Sequence, residues 1–275
     1  MSETIAPTPA SSSPSQRPVW DRLIDMPVAL PLICFLAILI LWESSTRLFS
    51  IPSYVLPAPS RIAGGFSSIS AGRWAEHIWA TLRVAIMGYG VSILISLPIA
   101  IGLAKSRFMS RAFYPLLVVI QSVPVVAVAP IIIVVLGTDD APRIVITFMI
   151  AFFPLVVSMT TGLMATPPEL IELSRSLNAP TWREVSQIRL PFATPYIFSG
   201  LRISITLAVI GAVVAEFVAA EKGIGYFIQF STSMFRLPEA WAGLTVLVIM
   251  SLTLFQTISL LQKFVFPWSL PKDQR

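Results

Sequence analysis

Residues 169–191 read ELIELSRSLNAPTWREVSQIRLP, a charged island of three glutamates and three arginines between two long apolar runs. Its punctuation is dense. Thr166 and Glu169 stand three apart with Pro167 between them, the pattern of a capping box with proline at the first helical position. A helix is therefore expected from about Pro167, continuing through Leu170, Ile171, Leu173 and Leu177. Asn178 is the best non-glycine residue for a left-handed C-cap, and Pro180 disfavours helical geometry at Ala179. Thr181 with Glu184 makes a second capping box, opening another short helix that Pro191 closes. The expected product is two short helices joined by a sharp turn. Its apolar side chains Leu173, Leu177, Trp182, Val185 and Ile188 are too many for a fully solvated hairpin. Either they fold back on a lipid interface and the chain's own helices, or they form a knob that fits a groove on a partner.

The rest of the chain decides where this island stands. Of its 275 residues 55% are hydrophobic and 12% charged, against roughly 25% charged in soluble domains; mean hydropathy is +0.81. A soluble fold needs charge to cover its surface, so the composition implies an integral membrane protein. The net charge of +5 is explained by basic residues at the cytoplasmic face rather than by nucleic acid. Cys34 is the single cysteine, which excludes an internal disulfide or a multi-cysteine metal site. The one histidine, His77, reads as a loop residue without a partner for metal binding.

Uncharged stretches of about 20 residues mark membrane spans. The first is Met26–Trp42, with Glu43 and Arg47 four apart and able to pair at its boundary. Others lie between Arg83 and Lys105, Arg111 and Asp139, Arg143 and Glu169, at about Tyr196–Ala220, and between Glu239 and Lys263. That makes an all-α membrane protein of six transmembrane helices. Lysines and arginines divide eleven to seven in favour of both termini being cytoplasmic, which also places the island in the cytoplasm. Residues 1–18, rich in serine and proline, read as a disordered cytoplasmic tail, and residues 266–275 as a second cytoplasmic tail. Between them, 19–74 hold the first helix and an outer linker in which Ser60 can cap a helix. Residues 75–265 form a five-helix core carrying the loop 166–191.

The island resembles the cytoplasmic loop of ATP-binding-cassette importer permeases, E-A-A, three residues, G, nine residues, I-x-L-P. Here it reads Glu172-Leu173-Ser174, Asn178, Ile188, Leu190 and Pro191; leucine and serine replace the alanines and asparagine the glycine. The stretches IQSVPVVAVAPIIIVVLG, FFPLVVSMTTGL, SGLRISI and VVAEFVAAEKGIGYFI are similar to permeases for nitrate, sulfonates, taurine and thiamine- or riboflavin-related heterocycles. The resemblance implies the type I importer permease fold in a bacterial inner membrane. It further implies a coupling helix seated in cytoplasmic ATPase subunits, an extracytoplasmic substrate-binding protein, and a second permease subunit, as in a homodimer surrounded by lipid. Glu169, Glu172, Leu173, Ser174, Asn178, Ala179 and Pro191 would carry the coupling. No cofactor, metal or catalytic residue is implied, and no phosphate-binding G-x-x-x-x-G-K-[ST] run occurs.

For the translocation pathway the candidates are Gln121, Ser122 and Pro124, a polar pair beside a proline kink, and Glu216, an ionisable group inside a span. Glu216 reads either as part of an outer gate or as a partner of Lys222 or Arg236. Gly200, Ser204, Ala208, Gly211 and Ala215 share one helical face and read as packing rather than pore. Asp139 and Asp140 read as a solvated turn. The alternative function is an ion-coupled secondary transporter, which would want inverted repeats and buried charges at mid-membrane.

Overall fold

The computed structural model describes residues 29–270, and all their regular structure is helical. The chain divides into two compact units, Met1–Ile62 and Ala63–Arg275. The tail at 1–18, the start of the first span at Met26 and the basic residues Lys272 and Arg275 lie outside the described residues.

In the first unit, α1 (Ala29–Leu48) is long and apolar enough to cross a membrane. Near its end Arg47 Nε donates to Glu43 Oε1 at 2.7 Å, the expected i,i+4 pair. α2 (Pro59–Gly65) begins one residue before Ser60. Ser60 is therefore not the cap; it gives its backbone N–H (3.0 Å) and its hydroxyl (2.7 Å) to the Glu43 carboxylate. An acceptor from outside the helix satisfies the N–H that a capping side chain would otherwise take.

Among its described residues, the second unit is built on four long helices. α3 (Ala71–Lys105) starts where Ser70 Oγ accepts the Arg73 N–H and ends where Ser106 leaves helical geometry. His77 thus lies inside a helix and is buried, not in a loop. Ser106 Oγ accepts the Met109 N–H and so opens α4 (Arg107–Gln121). α5 (Val125–Leu136) follows with Pro124 as its N-cap residue, and α6 runs Asp140–Met164. α7 (Pro168–Ser176) and the first turns of α8 (Thr181–Ala219) form the island. α9 (Ile224–Ser233), which no sequence signal announced, and α10 (Leu237–Val265) complete the chain's principal helices.

Among the described residues five helices, α1, α3, α6, α8 and α10, are long and apolar enough to span a membrane. A sixth crossing exists if α4 and α5 count as one span, and they are bent by 89° across their break. The kink expected at Pro124 is thus a full interruption. Two causes act there: Pro124 has no N–H to continue the ladder, and it forces the preceding residue away from helical geometry.

The core sits where α8 and α3 pack on α6. Lipid is as apolar as leucine, so helices in a membrane gain little by hiding apolar surface from each other and associate through close packing. A Cβ on Gly211 would come within 2.8 Å of Thr147 Cα, and one on Gly200 within 2.6 Å of Ser158 Cβ. With Ser204, Ala208 and Ala215 these residues are buried, so the small-residue face of α8 packs as its spacing predicted. Ser204 Oγ donates to Ala151 O at 2.8 Å, and Ser92 Oγ to Phe148 O at 3.3 Å. Each such interhelical bond is worth ~0.6 kcal/mol in a membrane.

Candidate functional site

The island is an elbow, built differently from its capping boxes. Two consecutive prolines shift the start of α7: Pro167 is extended (φ −53°, ψ 131°) because Pro168 follows it, and Pro168 becomes the first helical residue. Thr166 Oγ1 therefore does not cap α7; it donates backwards to Leu163 O at 3.2 Å, at the end of α6. The turn itself follows the sequence. Asn178 has φ +52°, its N–H reaches Arg175 O at 2.9 Å, and the Ala179 N–H reaches Ser174 O at 3.0 Å. These two bonds are a Schellman motif with asparagine in the left-handed position.

The second arm departs further. Glu184 makes no cap bond to Thr181, and Pro191 closes nothing. Residues Glu184–Arg189 form a π-helical segment within α8, with Pro191 in the first α-helical turn that follows. The i→i+5 pattern widens the helix, relieving the clash a proline ring makes with the carbonyl four residues back. Glu184 instead turns inward. Its carboxylate takes Arg189 Nε at 2.8 Å and Nη2 at 2.7 Å, and Arg175 Nε of α7 approaches to 3.6 Å. Arg189 Nη1 also donates to Leu163 O at 3.4 Å. One buried ion pair therefore joins both arms of the elbow to the end of α6.

The T-x-x-E pattern predicts a capping role for Glu184 and assigns Arg189 none. No α-helical pairing rule brings residues five apart together; only the π segment does.

The remaining elbow residues separate by exposure. Glu169, Glu172, Leu173 and Asn178 are exposed, Ser174 is buried inside the bend, and Ala179 and Pro191 are half-buried. Leu173, Leu177 and Trp182 are 57%, 73% and 62% exposed, while Val185 is buried. A shallow hollow of 360 Å³ between the arms is lined by Leu170, Leu173, Leu177, Asn178 and Ile188 among others. The elbow's inner apolar residues hold it together, and its outer ones are free to meet something else.

Gln121 and Ser122 lie at the 89° break and are exposed. Gln121 lines a hollow of 520 Å³ between the break and the middle of α6, with Leu117, Ile120, Phe148, Phe152 and Phe153. Pro124 is the N-cap of α5 beside it.

Glu216 is not brought to this place, nor to either expected partner: Lys222 pairs with Glu76, and Arg236 lies 3.9 Å from Glu239. Glu216 is 1% exposed and accepts from the Gly225 N–H at 2.7 Å and the Thr81 hydroxyl at 3.1 Å. Thr81 Oγ1 takes the Ile224 N–H at 2.8 Å, and His77 Nδ1 the Gly223 N–H at 3.2 Å. Three successive N–H groups at the start of α9 are thus satisfied by α3 and α8, which fixes α9 against both. Asp140 pairs with Arg83 and lies 3.5 Å from Arg143, so it is tied down rather than a free turn residue.

Helices long and apolar enough to cross a membrane, small-residue packing in the second unit and a braced elbow are the marks of a multi-pass membrane protein. The chain belongs to the family of binding-protein-dependent transport system inner membrane components, whose model matches residues 92–269. A riboflavin transport system permease protein from Chloroflexus aurantiacus is 33% identical over 254 residues, covering 92% of each chain. A formylaminopyrimidine transport permease protein from Halalkalibacterium halodurans is 32% identical over 238 residues, covering 86% of this chain and 95% of the relative. A taurine transport system permease protein from Escherichia coli is 25% identical over 261 residues, covering 92% and 94%. The fold matches a chain of the methionine ABC transporter solved in inward facing conformations, with TM-score 0.61 at 21% identity, over 68% of this chain and 93% of that one. This is the type I importer permease fold, and the family works with an ATPase and a substrate-binding protein.

Proposed function

We propose that the elbow at 166–191 couples this permease to its ATPase, moving a small solute inward when nucleotide closes the ATPase subunits. The observation that carries the reading is the contrast within the elbow. Leu173, Leu177 and Trp182 stand exposed at its surface, while Glu184 and Arg189 lock its base to α6 and α8. Exposed apolar side chains on a stiff support suit a protein groove. A support braced at both arms passes displacement into the spans instead of losing it in local bending.

The elbow then faces the cytoplasm, both termini lie on that side, and the His77–Thr81–Glu216 end faces outward toward a binding protein. A second copy of the chain completes the pathway around a two-fold axis, with Gln121, Ser122 and Pro124 at its wall. ATP hydrolysis belongs to the separate subunit, and this chain carries out no chemistry of its own. The test is disulfide trapping. A cysteine at Leu177, in a Cys34→Ser background, should cross-link to cysteines in the cognate ATPase. The cross-link should block uptake and be reversed by reductant. Absence of any cross-link in an assembled, active complex would overturn the coupling role.

A further inference from the structure

We infer that the hollow beside the α4–α5 break receives a flat, uncharged heteroaromatic solute during transport. The inference rests on the reading above that this chain lines the pathway of an importer.

Position comes first. The hollow meets α6 at residues 148–154, the middle of a helix that runs Asp140–Met164, so the break stands near mid-membrane. Interrupted backbone at that depth is tolerated only where it is buried in protein or lines a solvated cavity, because lipid cannot satisfy the freed groups. Gln121 and Ser122 are both exposed at this break. A lipid chain is therefore a poor occupant, and a solute pathway a good one.

Chemistry comes next. The lining includes three phenylalanines, Phe148, Phe152 and Phe153, together with Met149 and aliphatic side chains. Among the described residues it has one polar side chain, Gln121, and no charged one. Phe148 and Phe152 have ring centroids 5.0 Å apart, tilted by 43°. Their helix is held in place from two sides. Ser92 and Ser96 of α3 donate to Phe148 O and Phe152 O, at 3.3 and 3.4 Å, and Ser204 of α8 to Ala151 O. Rings on a pinned backbone offer a ready stacking surface with little ordering left to do.

A sulfonate would be a permanent anion here, facing apolar walls without a cationic partner, and such burial is strongly disfavoured. A heterocycle instead offers a π-face to the phenylalanines and a donor–acceptor edge to the Gln121 carboxamide, which both donates and accepts. The hollow's 520 Å³ lies within the roughly 300–1,000 Å³ of small-molecule sites.

The experiment uses the permease purified with its ATPase subunits in nanodiscs, without binding protein. Saturation-transfer NMR is recorded with riboflavin, formylaminopyrimidine and taurine as separate probes. At least one heteroaromatic should give a saturable signal, and taurine none. Phe152→Leu, which removes the ring but keeps most of the volume, should weaken that binding at least tenfold. Gln121→Leu, at an exposed position, should weaken it severalfold while the complex still purifies intact. Taurine binding as tightly as either heteroaromatic would overturn the inference. So would silence from both heteroaromatics, or binding indifferent to both substitutions. A chain that fails to assemble with its ATPase would instead overturn the importer reading, so the two failures are distinguishable.

Discussion

Glu184 and Arg189 stand five residues apart in sequence and 2.7 Å apart in space, both nearly buried at the foot of α8. A buried pair of this kind is dangerous to halve: removing one partner strands the other charge, at a cost of about 3–5 kcal/mol. Glu184→Ala should therefore lower the thermal unfolding midpoint of the detergent-solubilised subunit and abolish uptake. The double replacement Glu184→Leu, Arg189→Met should recover much of the stability, since apolar pairs often substitute for buried ion pairs. Uptake by the double variant measures what the brace adds beyond stability. Full wild-type uptake would mean the pair only holds the elbow together.

At the bend, Asn178 tolerates its left-handed backbone and glycine would adopt it freely. Asn178→Gly should leave uptake at or above the wild-type rate. Asn178→Val should be strained by about 1–2 kcal/mol and uncouple ATP hydrolysis from transport, with the subunit still in the membrane. Measuring ATPase rate and uptake together in proteoliposomes separates the two effects. Equal coupling in both variants would count against a stiff lever.

The start of α9 offers a second test. A Cβ on Gly223 would fall 2.2 Å from the Glu216 carboxyl carbon, and Gly223 has φ +124°. Gly223→Ala should thus displace α9 and destabilise the fold. Glu216→Ala leaves the Gly225 N–H without its acceptor, costing about 1–3 kcal/mol, and Glu216→Gln should retain most of that stability because its amide oxygen still accepts. The comparison is read from unfolding midpoints. Equal loss in the Gln and Ala variants would show that charge, rather than acceptor geometry, is what matters.

Orientation is tested by labelling. Cys34 is exposed, so it is first replaced by serine. A cysteine at Arg175 should then react with an impermeant maleimide only after cells are opened, and one at Asp139 in intact cells. The opposite pattern would invert the proposed topology.

Several features were legible in the residues alone because they depend on local or bulk properties. The shortage of charge announced a membrane protein, and uncharged runs marked its spans. The backbone tolerance of Asn178 announced the turn, and small side chains three and four residues apart announced the packing face of α8. Tertiary structure decided the rest. Thr166 and Glu184 each carried a correct cap pattern, yet both side chains found better partners elsewhere, at Leu163 and Arg189. His77, Thr81 and Glu216 converge on α9 across separations of up to 146 residues, and the phenylalanine-lined hollow exists only because a helix breaks against the middle of another. Spacing along one helix reports which face a residue occupies. What lies opposite that face is set by the packing of distant segments, and where polar groups are buried the best available partner wins over the nearest one.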